Sequence, residues 1–267
     1  MSSIVTKQGI VHYEAYGRGE PVILLHGWLG SWGYWLRTME ALKNQYRCYA
    51  LDFWGFGDSG KRRSSYHVSD FVGLVDQFME RLGIEAAPVV GHSMGGTVAM
   101  SLAVTKPERV RRVIAVGSPV VGDSLNILLR LAGRPWIASI VWRLPTALNL
   151  GIKLFSPYVV RDWPEWYEMI TRDISQTTLE AFFSSINSLH KTDLRAQLSK
   201  TTAPIMGIYG VGDNVVQPSQ ANVIAKSATF SRIKMMSHSK HFPMLDEPQA
   251  FNDQLAEFLA FEFASAH

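Results

Sequence analysis

Cysteine is nearly absent: Cys48 is the one thiol in a chain of 267 residues. No intramolecular disulfide can form, so the expected compartment is a reducing one. Cys48 runs into Tyr49-Ala50-Leu51, a setting that predicts a buried, inert thiol rather than a reactive one. Long apolar runs are also missing. Nothing approaches the roughly 18 uncharged apolar residues that a membrane-spanning helix needs, and the amino-terminal Met-Ser-Ser-Ile-Val-Thr-Lys carries neither an apolar core nor a small-residue cleavage site. The expectation is a cytoplasmic protein. Neither sign of charge dominates. The 26 basic and 23 acidic residues leave +3, too slight an excess to argue for nucleic acid or an anionic membrane as partner. H-E-x-x-H, paired C-x-x-C and P-loop patterns are lacking, so no metal and no cofactor is expected. There is no internal repeat, low-complexity tract or charged tail.

What is present is an ordinary globular composition, 47% apolar with a mean hydropathy of +0.02. A chain of this length buries roughly 75% of its unfolded surface and needs no staple. Residues 4–16 alternate loosely and end at the turn signal Gly17-Arg18-Gly19-Glu20-Pro21. Val22-Ile23-Leu24-Leu25 reads as a buried strand, residues 33–43 as a helix, and Tyr46 to Phe53 as a strand. Phe71, Leu74, Val75, Phe78 and Leu82 repeat at helical spacing, and Gly83 ends that helix. Pro88-Val89-Val90 is a strand, residues 94–106 a helix closed by Pro107, and Val110 to Val116 a strand. This alternation predicts an α/β fold, a mostly parallel, doubly wound sheet flanked by helices.

The rhythm breaks at Gly117-Ser118-Pro119. From about 122 to 190 the chain reads helical, aromatic-rich (Trp136, Trp142, Phe155, Trp163, Trp166, Tyr167, Phe182, Phe183), and is cut into short pieces by Pro135, Pro145, Pro157 and Pro164. A helical cap of four or five helices is expected over residues 121–195, inserted between core segments 1–120 and 196–267. The α/β rhythm resumes with a strand at 204–209, a helix near 218–227, a strand near 230–236 and a last helix from about 248 to 262.

Gly91-His92-Ser93-Met94-Gly95 fits G-x-S-x-G between a predicted strand and a predicted helix. A sharp, strained turn there would hold the Ser93 hydroxyl exposed at the strand end, and only glycine lets the helix and the neighbouring strand pass so close. A serine hydroxyl needs a base, and the base needs a third group to fix its tautomer. In chain order Ser, Asp, His, Asp213 follows the strand ending at Tyr209, where ligand-binding groups collect in open α/β sheets. His241 lies between the last strand and the last helix. Asp123 is the rival acid and His238 the rival base.

On these residues the chain resembles the α/β-hydrolase superfamily, in its cap-bearing branch of serine esterases, lipases, haloperoxidase-like and carbon–carbon bond hydrolases. Four more stretches carry the resemblance: His26-Gly27-Trp28-Leu29-Gly30, similar to the His-Gly-x oxyanion loop; Asp52 to Ser59, similar to D-x-x-G-x-G-x-S; Gly210 to Asp213, similar to G-x-x-D; and His241-Phe242-Pro243 with Glu247-Pro248, similar to the terminal histidine segment. The resemblance implies oxyanion donors at the N–H groups of Trp28 and Met94, with His26 shaping the loop. Lys240 stands where a small residue is usual, and Trp54 where Arg is common. Gly55-Phe56-Gly57-Asp58-Ser59-Gly60 also spells a dinucleotide fingerprint, with Asp76 and Glu80 downstream, but Lys61-Arg62-Arg63-Ser64-Ser65 is no helix start.

The expected activity is hydrolysis of carboxylic esters of apolar small molecules through an acyl-enzyme, without cofactor. The same triad also suits acyl transfer, carbon–carbon bond hydrolysis or perhydrolysis, and the fold can serve as a ligand receptor. Haloalkane dehalogenase and epoxide hydrolase chemistry call for Asp at the position of Ser93.

Overall fold

In a computed structural model the chain is described over residues 2–7, 9–61, 65–132, 134, 136 and 143–261. Trp142 and Pro135, two of the residues singled out in the helical stretch, lie outside the described residues.

Eight strands form one sheet: β1 (Ser2–Thr6), β2 (Gly9–Gly17), β3 (Glu20–Leu25), β4 (Tyr46–Leu51), β5 (Ala87–His92), β6 (Val110–Val116), β7 (Ile205–Gly210) and β8 (Ser231–Met236). Their spatial order is β1-β2-β4-β3-β5-β6-β7-β8. The amino-terminal run is not one strand but an antiparallel hairpin, paired from Ser2↔Tyr13 to Thr6↔Gly9. Thr6 helps close it by donating its hydroxyl to the Gly9 carbonyl at 2.6 Å. β2 joins β4 antiparallel, and every later pairing is parallel.

Parallel pairing needs crossovers, and helices supply them. They are α1 (Leu36–Leu42), α2 (Val68–Arg81), α3 (Met94–Thr105), α4 (Ile127–Ala132), α5 (Pro145–Val159), α6 (Trp163–Ser175), α7 (Leu179–His190), α8 (Arg195–Leu198), α9 (Gln220–Ser227), α10 (Pro243–Asp246) and α11 (Pro248–Ala260). The helix expected over 33–43 is entered through a 3-10 turn, Trp32–Trp35, a usual opening for an α-helix. α4 to α7 all lie between β6 and β7.

β5 and β7 are buried at every residue, which is why they read as unbroken apolar runs without alternation. α3 is buried from Met94 through Ala103, so it shows no amphipathic stripe. The winding reverses beside β3: the chain goes from β3 to β4 on one side and then to β5 on the other. The crevice at the carboxyl ends of strands flanking such a reversal is where open α/β sheets place ligands. The loops carrying Trp28, Ser93, Asp213 and His241 follow β3, β5, β7 and β8, all parallel, so all four emerge at that same edge.

Candidate active site

Ser93 caps the amino end of α3 with φ 51° and ψ −117°. An L-residue is rarely held at positive φ, and one that is held there is fixed by its surroundings. Two glycines permit the crossing. A Cβ on Gly91 would lie 2.2 Å from the Gly95 carbonyl oxygen, and one on Gly95 would lie 2.4 Å from that of Leu25. The Ser93 N–H is spent on the Val116 carbonyl, 2.8 Å away. The N–H of Met94, first residue of α3, falls where the helix has no internal acceptor to offer.

Among described residues only Ser93 and Leu29 are non-glycine with positive φ, and both lie in this site. Leu29, at φ 59°, is the third residue of a turn closed by Gly30 donating to Gly27 at 3.1 Å, a position that ordinarily calls for glycine. His26 braces the turn. Its Nδ1–H donates to the Gly27 carbonyl at 2.7 Å, and its Nε2 accepts from the Phe53 N–H at 2.9 Å. Burial depresses its pKa, so the ring stays neutral and both nitrogens are committed to structure.

Asp213 and His241 meet: Nδ1 of the histidine is 2.8 Å from Oδ2 of the aspartate, and both side chains are buried. The other carboxylate oxygen, Oδ1, accepts from Val215 N–H at 2.8 Å and Val216 N–H at 3.0 Å. With both oxygens committed, the carboxylate cannot swing away from the imidazole. The rivals sit elsewhere. Asp123 is exposed and 3.6 Å from His190. His238 is exposed, and its backbone N–H donates to Glu247. Lys240 turns toward the helical segment, where its ammonium donates to the Pro157 carbonyl.

The Gly55–Gly60 stretch folds as turns, with the next helix beginning only at Val68. Its anchor is Asp52, whose carboxylate accepts from Trp32 N–H at 2.7 Å, Asp58 N–H at 3.0 Å and His12 Nδ1 at 2.8 Å. Burial works to raise the Asp52 pKa, but the His12 hydrogen bond and the backbone donors together hold it below the usual carboxylate range. His12, Asp52 and Asp58 could bring three ligand atoms within 4.8 Å of one another. Both Asp52 oxygens already accept hydrogen bonds and Asp58 is exposed, so the cluster reads as a loop anchor centred on the buried Asp52. Cys48 is buried, and its thiol is pushed up to about 12 by desolvation, in keeping with an inert side chain.

A family model described as alpha/beta hydrolase fold matches residues 20–200. The chain belongs to this family. The hydrolase is 26% identical to a pimeloyl-[acyl-carrier protein] methyl ester esterase of Vibrio campbellii over 94% of this chain and 98% of that protein. It is 25% identical to 3-oxoadipate enol-lactonase 2 of Acinetobacter baylyi over 91% and 90%. A thermophilic esterase from Thermogutta terrifontis superposes with a TM-score of 0.83 at 21% identity, covering 97% of each chain.

Above Ser93 the hydrolase encloses a cavity of about 640 Å³, within the range of small-molecule sites. Ser93 and His241 line its floor, and α4 to α7 supply most of its walls. Of the aromatics expected in the helical stretch, Phe155, Trp166 and Phe182 reach the cavity; Trp136 is exposed instead. The rest of the wall is largely aliphatic, including Leu148, Ile152, Ile170, Ile186 and Leu189. Among described residues no Lys, Arg, Asp or Glu lines it.

Two features were not legible beforehand. His92, the variable residue of G-x-S-x-G, is buried, lies 4.7 Å ring to ring from His241, and donates Nε2–H to the His241 carbonyl at 2.9 Å. Burial drives its pKa well below the ordinary value, so it supports the His241 backbone as a neutral ring. Its position beside Ser93 was its only sequence signal. Asp173 of α6 had none. It is buried, accepts from the Ser31 hydroxyl at 3.0 Å, and is pushed up to about 6 by desolvation.

Proposed function

We propose that this α/β-hydrolase cleaves carboxylic esters whose acyl part is apolar and uncharged, through an acyl-enzyme on Ser93. The observation that carries the reading is that Ser93 and His241 together face a cavity walled almost entirely by aliphatic and aromatic side chains. The named esterases and the enol-lactonase among its relatives support ester-bond hydrolysis.

Asp213 accepts the Nδ1–H of His241, which leaves Nε2 as the proton acceptor toward Ser93. The Ser93 oxygen attacks the ester carbonyl as its proton passes to His241. The developing oxyanion is held by the N–H groups of Trp28 and Met94; one such donor typically contributes about 10²–10³ in rate. The tetrahedral intermediate collapses, and the alcohol leaves with the proton from His241. Water then attacks the acyl-enzyme by the same route, returning Ser93 and releasing the acid. Residues 121–195 act in this reading as a cap on the core formed by 1–120 and 196–267, and they set acyl-chain length. An uncharged chain follows from the wall: burying a carboxylate without a partner is far more costly than burying a methyl group.

The test is hydrolysis of p-nitrophenyl esters from acetate to palmitate by the wild type and Ser93→Ala side by side. Turnover with an optimum at medium or long chains, lost in Ser93→Ala, supports the reading. Turnover that survives in Ser93→Ala, or that is absent at every chain length, overturns it.

A further inference from the structure

The outer face of the helical segment is apolar where a monomer's surface is ordinarily polar. Of the 15 large apolar side chains exposed among described residues, seven fall between Ile127 and Tyr158. Helix α5 carries two apolar faces. Leu148, Ile152 and Phe155 turn toward the cavity, while Leu150, Leu154 and Tyr158, spaced four apart and so on one side, are 57%, 66% and 60% exposed. Thr146, Asn149, Lys153 and Ser156 form a polar stripe beside these faces, and an exposed apolar face bordered by such a stripe is that of an amphipathic helix that meets a further surface.

Two further observations say what would cover this face. Leu128, Leu144 and Leu154 are each more than half exposed and also line the cavity. The mouth of the cavity therefore opens through the apolar patch itself, with Asn126 the one polar side chain among the described lining residues of α4, α5 and the turn before α4. The charge of the segment is also one-sided: from Ser124 to Val160 the sequence has Arg130, Arg134, Arg143 and Lys153 and not one acidic residue. Arg134, Arg143 and Lys153 are exposed. Apolar side chains flanked by long cationic ones suit the boundary between acyl chains and anionic headgroups.

We propose that this face of α4 and α5 docks on an anionic lipid bilayer, lying in the interface without spanning it, so that the cavity mouth opens directly into the acyl-chain region. Among described residues no helix is long and apolar enough to cross a membrane. The whole-chain net charge hides this face, because the acidic residues are concentrated elsewhere. The substrate would pass from bilayer to Ser93 along a continuous apolar path without crossing water. The docking face rests on the patch and its charge alone; delivery of substrate to Ser93 rests on the proposed esterase reading.

The test is co-sedimentation of the full chain with large unilamellar vesicles of phosphatidylcholine containing phosphatidylglycerol, against phosphatidylcholine alone. The wild type is expected to sediment with the anionic vesicles, more weakly at high salt, and about fivefold more weakly for each of Arg134, Arg143 and Lys153 changed to Gln. The double variant Ile127→Gln/Leu150→Gln alters two exposed residues outside the cavity lining. It is expected to lose about tenfold or more of the binding while hydrolysing soluble p-nitrophenyl butyrate at the wild-type rate. Ser93→Ala should sediment like the wild type whatever its turnover, which separates failure of the docking face from failure of the esterase reading. A wild type that stays in the supernatant with both vesicles overturns the proposal. So does a dimer in analytical ultracentrifugation that the double variant dissociates in the absence of any vesicle binding, since a second copy would then cover the face.

Discussion

The indole N–H of Trp28 donates to the main-chain oxygen of Phe182 at 2.9 Å, tying the loop after β3 to helix α7, and the two rings lie 4.7 Å apart. The residue proposed to supply an oxyanion donor is thus held by the same helical segment that walls the cavity. Helix α7 and the loop after β3 are joined at this point by a hydrogen bond and a ring contact.

Trp28→Phe removes that hydrogen bond while keeping the backbone N–H and most of the ring packing. Loss of one such bond is worth about 0.5–1.5 kcal/mol. We expect a modest fall in melting temperature and a drop of up to about tenfold in kcat on p-nitrophenyl butyrate, with little change in KM. Unchanged kcat would mean that the tie steadies helix α7 but not the loop.

Asp213→Asn preserves shape but offers an amide where His241 needs an acceptor. Tautomer reversal of this kind lowers kcat by about 10⁴. His238→Gln, at an exposed side chain, should stay within about twofold of wild type. Comparing kcat for the two variants separates the histidines; a large loss in the His238 variant would reverse the assignment.

A neutral and an anionic substrate of equal length should differ sharply. Methyl hexanoate can fill the apolar cavity, whereas monomethyl adipate must bury a terminal carboxylate among Leu148, Ile152, Ile170 and Ile186 without a cation. A penalty of about 3 kcal/mol corresponds to a preference of about 10²-fold in kcat/KM for the neutral ester. Equal kcat/KM values would show that the acyl chain lies outside this cavity.

Asp173 predicts a pH-dependent stability. Burial raises its carboxyl from 3.8 to about 6 in the folded chain, so between those values the folded state holds a proton that the unfolded state has lost. Stability therefore falls as pH rises through this window and is flat, on this account, above it. Asp173→Asn keeps an acceptor for Ser31 and removes the buried charge. Its melting temperature relative to wild type should climb from pH 4 to pH 6 and then level off, the full swing amounting to about 3 kcal/mol at most. A difference that is constant with pH would place the ionised carboxylate in a better-solvated setting than its burial indicates.

Most of the sheet could be read along the chain because each signal was local. β6 was legible from Val110 to Val116 residue for residue, its buried Val113 to Val116 following Arg111 and Arg112 at the strand's start, and β5 and β7 within a residue or two, since strands buried on both faces read as apolar runs without alternation. The Ser93 turn was legible because only a G-x-S-x-G spacing permits that crossing. The hairpin of β1 and β2 was blurred into one run, because pairing partners leave no mark on periodicity.

What the sequence alone determined, then, was the doubly wound sheet, the strained turn at Ser93, and the order in which Asp213 and His241 follow it; these depend on backbone sterics and on strand burial, which neighbouring residues dictate. Tertiary structure alone decided that Asp213 reaches His241 while Asp123 does not, that His92 braces the His241 backbone, that Asp173 is buried against Ser31, and which side of α5 faces the cavity. Each of these is a contact between segments far apart in the chain. In α5 nearly every turn is apolar on both sides, and no periodicity distinguishes the face that lines a cavity from the face that meets the surroundings.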